Sequence, residues 1–271
     1  MIIDYGYDSN IVQLLTQDKK NNVKNGFYHF IQVQFAYCSN HIEGSTLTPE
    51  QTELIYDKGE ITGKARVDDV LEAANHFRMF DYLLDSINQP LDDELIKNLH
   101  YILRNGIDND AGQYKKHQNQ IGVINPISTT KVNDVPNAID TLLSEYNKLE
   151  KVSFEDILGF HCAFEKIHPF QDGNGRTGRA IMFRECIRNS IMPFIVYELY
   201  RPFYISGLTE WRKGNRQQLL ETMNACQEVF CQNYQYFIGQ QNCLMTPKQN
   251  QRQFNNDTAV RKTDKNSDER S

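Results

Sequence analysis

Along most of this chain apolar residues recur three and four positions apart, the spacing that gathers them on one face of an α-helix. Phe27, Phe30, Ile31, Val33 and Tyr37 predict a helix over Val23 to Tyr37. Val70, Leu71, Ala74, Phe77, Leu83 and Leu84 predict another over Val67 to Leu84, and Leu95, Ile96, Leu99, Ile102 and Leu103 one over Asp92 to Arg104. The pattern returns at Val135–Leu149, from Ser153 through Phe164, from Asn174 to Ile187, and from Asn215 to about Ile238. Starts are marked as well: Thr48-Pro49-Glu50-Gln51 has an N-cap hydroxyl, a proline in the first turn and Gln51 in the capping-box position. Only Gly112–Asn133 interrupts the period, with short β-prone pieces around Asn125-Pro126 that suggest a hairpin or flap. The fold class that follows is all-α, a helical bundle with one small β-hairpin.

Composition narrows the setting. With 29 Lys and Arg against 35 Asp and Glu the formal net charge is −6, which demotes a whole-chain nucleic-acid binder. No stretch approaches the roughly 18 apolar residues a membrane helix needs, and the start lacks the basic and apolar regions of a secretory leader. Six cysteines (Cys38, Cys162, Cys186, Cys226, Cys231 and Cys243) are scattered without metal-finger spacing, as buried thiols of a reducing cytoplasm would be. After Met245 the chain turns polar and slightly basic, too poor in apolar anchors to offset the entropy of ordering, and reads as a disordered tail over 246–271.

The stretch that carries chemistry is His168-Pro-Phe-Gln-Asp-Gly-Asn-Gly-Arg-Thr-Gly-Arg179, between two predicted helices. Gly173 and Gly175 permit tight turns that bring bare amides toward a ligand. The helix starting near Asn174 offers its unpaired amides and positive dipole end to an anion. Arg176 and Arg179, three apart, project from one side of that helix start and suit a polyphosphate. Asp172 is a hard oxygen ligand where Mg²⁺ could bridge to the same phosphates. His168 stands before the turn, where an imidazole can take a proton from an attacking hydroxyl.

This stretch resembles the Fic family signature HxFx(D/E)GNGRxxR, every defining position being filled, and the resemblance extends over about Leu91 to Asn215. It implies a helical Fic fold and an enzyme that transfers AMP from ATP to a Ser, Thr or Tyr hydroxyl of a protein. By the resemblance His168 is the base, Asp172 holds Mg²⁺, and Gly173, Asn174 and Gly175 form the anion hole. Arg176 and Arg179 hold the β- and γ-phosphates, Thr177 and Gly178 complete the nucleotide-binding stretch, and Phe170 anchors the loop. The hairpin 118–132 becomes a flap on which an extended target segment docks by strand addition, with Gln120, Ile121 and Gly122 facing the nucleotide. Tyr204, with Leu208, corresponds to the family's tyrosine near the adenine; Arg212 falls where an Asn often follows.

The segment from Ser39 to Gly44, placed after the first predicted helix, resembles the inhibitory motif (S/T)xxxE(G/N) of some Fic proteins. The resemblance implies that Glu43, with Ser39, engages Arg179 and blocks seating of the ATP γ-phosphate, so residues 1–90 form an N-terminal helical region carrying a brake. A catalytic core over 91–215 and a C-terminal helix over 216–245 follow. Other readings stay open: AMP removal assisted by Glu43, transfer of another phosphate-containing group, or a nucleotide-sensing module without turnover. Self-modification is compatible with the transfer readings, and a homo-oligomer with all of them.

Overall fold

The computed structural model describes residues 10–122 and 126–244, with side chains described to residue 239. The polar tail, the extreme N-terminus, residues 123–125 with Asn125 among them, and the Cys243 side chain lie outside the described residues. The chain divides into two compact units, residues 1–231 and 232–271. In the second, the last helix continues to Leu244, with Tyr236 set edge-on to Phe237. All that follows concerns the first unit.

The described residues are helical apart from one hairpin, as the periodicity predicts. Helix α1 spans Asn10–Asn21, and periodicity gave no sign of it because only Ile11, Leu14 and Leu15 carry its apolar face. Helix α2 spans Phe27–Ile42, shifted about four residues along from the prediction. It starts later because Asn22 and Asn25 adopt left-handed backbone (φ 48 and 55). Asp18, buried under that turn, accepts the Tyr28 amide at 3.3 Å. Ser39 therefore lies inside the last turns of α2 and not beyond its end.

Helix α3, Pro49–Lys58, begins on the complete Thr48/Gln51 capping box and stops at Gly59. Helices α4 (Val67–Asp85) and α5 (Asp93–Arg104, capped by Asp92) form an antiparallel neighbour pair. Strands β1 (Gln120–Ile121) and β2 (Ile127–Ser128) pair antiparallel, Gln120 opposite Ser128 and Ile121 opposite Ile127. Then come α6 (Val135–Asn147), α7 (Phe154–Ile167, opened by a Ser153/Asp156 capping box) and α8 (Asn174–Arg188). Helix α9 (Arg201–Arg212), which the periodicity also left unmarked, precedes α10 (Gln217–Leu244).

Helix α8 is the centre of the bundle. Nearly all its side chains are buried, against α7 on one side and α2, α4 and α5 on others. Phe183 stacks on Phe35 at 5.3 Å and meets Phe80 and Phe230 edge-on. Each such ring contributes on the order of 2–3 kcal/mol by removal from water. Arg184, fully buried on the same helix, pairs with Glu185 and donates to the carbonyls of Ser86 (2.5 Å) and Gln89, tying α8 to the end of α4. Rigid burial of α8 on these sides fixes where its N-terminus, and with it the 168–179 loop, must point. Cys38, Cys162, Cys186 and Cys226 are buried free thiols, and among the described residues no helix is long and apolar enough to cross a membrane.

Candidate active site

The loop between α7 and α8 is held from behind by side chains that periodicity could not have assigned. Phe170 is fully buried and stacks flat on His100 of α5, ring centroids 3.7 Å apart. The Gly112 amide donates to His100 Nδ1 at 2.9 Å, so the ring proton is on Nε2, which donates to the Asp172 carbonyl at 2.9 Å. Burial agrees with a neutral ring, since it holds the His100 pKa down at about 4. The Asn174 side chain closes the loop on itself, accepting from the Phe170 amide and donating to the Phe170 carbonyl, both at 2.9 Å. Its side chain is thus a clip, and only its backbone amide is left to face an anion.

The hairpin base is tied to the same loop. Lys115 Nζ, buried, donates to Thr129 Oγ1 and Asn119 Oδ1 at 2.8 Å and lies 3.3 Å from the Ile167 carbonyl. The Asn119 amide group donates to Phe170 O at 2.9 Å. Ile121 and Gly122 then line a cavity of about 270 Å³ together with Ile127, His168, Gly175, Arg179, Tyr204 and Arg212. Gln120 points elsewhere: it is exposed and does not line this cavity.

His168 closes α7 in left-handed backbone (φ 52, ψ 63). Its Nδ1 lies 3.3 Å from the Glu165 carbonyl and 3.8 Å from Glu165 Oε2. Burial first, and Lys115 with it, push the imidazole pKa down to about 4, so the ring is neutral at pH 7 with Nε2 available to accept a proton. Arg179, almost fully buried, donates through Nε to Ser39 Oγ (3.1 Å) and through Nη2 to Ser39 O and Glu43 Oε1, both 2.8 Å. Burial pulls its pKa down, but the Glu43 carboxylate and the Tyr204 hydroxyl together more than offset that and the net shift is upward. Tyr204 sits under the guanidinium, 5.9 Å from ring centroid to Cζ, and its hydroxyl pairs with His161 Nε2 at 2.7 Å.

Backbone geometry delivers Glu43 to this spot. At the end of α2 the Ser45 amide donates to Asn40 O (3.1 Å) and the Gly44 amide to His41 O (3.0 Å), the two bonds of a Schellman stop. That stop requires Gly44 at positive φ (+99), which leaves Glu43 as the C-cap. Arg201 of α9 donates to the Ile42 carbonyl at 3.0 Å and holds the terminus in place. The Glu43 carboxylate then lies directly over the first turn of α8. A Cβ at Gly175 would run into Glu43 Oε1 and come within 2.9 Å of Arg179 Nη1, so glycine there lets both side chains close over the helix start undisplaced. An acidic oxygen already stands where the helix amides and Arg179 would receive an anion.

The two signature arginines do not share one cavity, as their spacing suggested. Arg176 turns into a second, almost wholly polar cavity of about 230 Å³ with Glu72, Arg104 and Asp172. It is ion-paired with Glu72 Oε1 at 2.5 Å and Asp172 Oδ2 at 3.4 Å, and its Nε is buried without a hydrogen-bond partner. Arg104 also pairs with Glu72, with Asp108 (2.7 Å) and with Asp172 (3.1 Å). Glu72 on α4, which carries none of the motif residues, thus anchors both cations. Glu43 stands on the rim of both cavities.

Burial raises the Asp172 pKa, but Arg176 and Arg104 outweigh it and the carboxylate is held below its usual range. Thr177 and Gly178 line neither cavity: the Thr177 hydroxyl donates to Gly173 O at 2.9 Å, and Gly178 packs against the His161 ring. Behind both arginines, fully buried His76 of α4 is kept neutral, its pKa near 3 from burial and then from Arg179 and Arg176.

Comparison with known proteins bears on the family and the fold. Residues 90–186 match the model of the Fic/DOC family. The chain is 26% identical over 205 residues to protein adenylyltransferase fic-1 of Caenorhabditis elegans, covering 74% of this chain and 40% of the relative. It is 27% identical over 220 residues to protein adenylyltransferase Fic of Nematostella vectensis, covering 77% and 49%. The chain therefore spans half or less of the length of these curated relatives. Among solved structures, a Fic domain containing signaling protein from Bacteroides thetaiotaomicron superposes with a TM-score of 0.72 at 21% identity, covering 84% of this chain and 97% of that one. A Fic family protein from Desulfovibrio desulfuricans G20 gives 0.68 at 20% identity, covering 88% and 75%. These structural likenesses establish the fold.

Proposed function

The chain carries a Fic/DOC-family domain over residues 90–186, and from that premise we propose that it is a protein adenylyltransferase held in check by its own Glu43. The relatives named as adenylyltransferases support the reaction. The observation that carries the proposal is the Glu43 carboxylate 2.8 Å from Arg179, over the amide start of α8 and in the cavity of a neutral His168.

In the reaction, His168 Nε2 takes the proton of a Ser, Thr or Tyr hydroxyl on the target protein. The oxygen attacks the α-phosphorus of ATP, and pyrophosphate leaves. The chain's task is positioning and charge stabilisation. Amides of Gly173, Asn174 and Gly175, with Arg179, receive phosphate oxygens once Glu43 is displaced. Arg176, with an unpartnered buried Nε, has donor capacity for a further phosphate. The hard, anionic Asp172 carboxylate beside this donor set fits Mg²⁺, which would neutralise phosphate charge there. Tyr204, Leu208 and Arg212 line the far end of the cavity, where the adenine would sit.

The 118–132 hairpin, held to the catalytic loop by Lys115 and Asn119, serves as the docking edge for an extended target segment. That segment can belong to another protein or to a second copy of this chain. Buried free thiols agree with work in a reducing cytoplasm.

Glu43 is the brake because a carboxylate and a phosphate compete for the same guanidinium and amide donors. His168→Ala tests the assignment of the base. Labelling from α-labelled ATP should vanish in the Glu43→Gly background while ATP affinity stays within about a factor of three. Transfer that survives the substitution removes His168 from the role.

A further inference from the structure

Helix α7 carries an acid where an apolar residue would be ordinary. Glu165 lies between Phe164 and Ile167, is 6% exposed, and its Oε1 is buried with no hydrogen-bond partner. Such a group costs free energy, and its retention in a folded core calls for a reason such as a catalytic role. Its side chain reaches the catalytic cavity, and its Oε2 is 3.8 Å from His168 Nδ1.

We propose that Glu165 is a positioning residue for the transferase reaction, its carboxylate standing behind the His168 imidazole to fix the ring and to balance the charge the ring acquires. This rests on the adenylyltransferase reading above. The backbone carbonyl of Glu165 takes one share of the Nδ1–H at 3.3 Å, and the carboxylate lies on the same side of the ring. Both favour the tautomer that leaves Nε2 bare, facing the substrate hydroxyl. During transfer the O–H bond of the target breaks and its proton goes to Nε2. The oxygen bonds to the α-phosphorus, the bond from that phosphorus to the bridging oxygen breaks, and pyrophosphate departs with the electron pair. His168 becomes an imidazolium, and Glu165 exchanges no proton with the substrate. An anion beside Nδ1 stabilises that imidazolium, as a buried acid does behind other catalytic histidines.

The surroundings make this contribution adjustable. Glu165 is faced by Glu43 at the end of α2, Arg179 of α8, Tyr204 and Arg212 of α9, and His161 one turn earlier on α7. His168 is faced in addition by Lys115 and Asp172. Burial and then Glu43 push the Glu165 pKa up to about 7, against the pull of Arg179 and Arg212. The brake therefore does two things: it occupies Arg179, and it keeps the carboxyl behind the base partly protonated. Removing Glu43 frees both.

The test uses the full chain with Glu43→Gly as the active background. Adding Glu165→Gln should lower kcat about tenfold with KM for ATP changed less than about twofold. It should also flatten the rise of kcat with pH that ionisation of Glu165 brings, a rise that lies at lower pH in this background than with Glu43 in place. Glu165→Asp should keep that pH dependence and recover part of the rate. Full kcat with an unchanged pH profile in the Gln variant overturns the proposal. A second measurement needs no turnover and no variant: nitrogen-15 NMR of the His168 ring should show the Nδ1–H tautomer, and a dominant Nε2–H tautomer overturns it even if Glu165→Gln fails to fold. If Glu43→Gly transfers nothing, the transferase reading fails, and the tautomer still decides what Glu165 does to His168.

Discussion

At the scale of single residues, the site turns on how little room is left above Gly175. The Glu43 carboxylate and the Arg179 guanidinium both press on the place a Cβ would take, at 2.2 and 2.9 Å. Any anion that replaces Glu43 must use the same space. Gly175→Ala in the Glu43→Gly background should therefore weaken ATP binding on the order of tenfold, because the added methyl takes space the phosphate would use and crowds Arg179, and isothermal titration would measure it. Undiminished affinity would mean that phosphate does not seat over this turn. The residues of the 168–179 loop were legible because their order carries chemistry: a base, an acid, two glycines and two arginines around a helix start. Glu165, Glu72, Arg104 and Lys115 were not legible, because each acts through a partner on another element. The hint for Glu165 was its presence on the buried face of α7, four residues after His161, where an acid has no reason to be unless it is used.

At the scale of elements, the proposed brake is a helix ending. The Schellman stop at Gly44 decides that α2 breaks at Glu43 and aims its carboxylate across to α8. Gly44→Ala strains a backbone at φ +99 and should cost about 1 kcal/mol. With the terminus loosened, Glu43 should hold Arg179 less well and basal labelling should rise. Thr48→Ala is the matched control. It removes the α3 capping box, again for about 1 kcal/mol, but leaves the α2 stop intact. Both variants should lower the melting temperature, and only Gly44→Ala should raise labelling; equal labelling would separate the helix ending from the brake. Caps at Thr48, Asp92 and Ser153 and the core-facing periodicity of α4 to α8 could be read directly from sequence. The limits of α2 could not, since Asn22 and Asn25 in left-handed backbone delay its start and Gly44 extends it past Tyr37. Helices α1 and α9 were invisible for a different reason: each buries only a few residues, too narrow a face to stand out as a period.

At the scale of the molecule, an acidic chain is built around a cationic centre, with Arg104, Arg176, Arg179 and Arg184 buried and each met by carboxylates or carbonyls. The same interior holds His76 and His161 near pKa 3 and His100 and His168 near 4, in every case through burial first. Between about pH 6.5 and these values the unfolded chain binds more protons than the folded one, so stability rises with pH across that window and is lost on acidification. Glu165, pushed up to about 7, works in the opposite sense between its ordinary range and neutrality but is one group against four. The denaturant midpoint should therefore fall markedly from pH 7 to pH 5, and a flat profile would show that these histidines titrate normally. The whole account depends on a transferase whose phosphate seat is closed by Glu43. Its most direct test is the intact mass of the wild-type chain and of Glu43→Gly after incubation with ATP and Mg²⁺, alone and with candidate target proteins. Glu43→Gly should carry mass increments of one AMP on the chain or a target, and wild type far fewer; no increment in either form, or equal increments in both, would mean that Glu43 does not close the phosphate seat of a transferase.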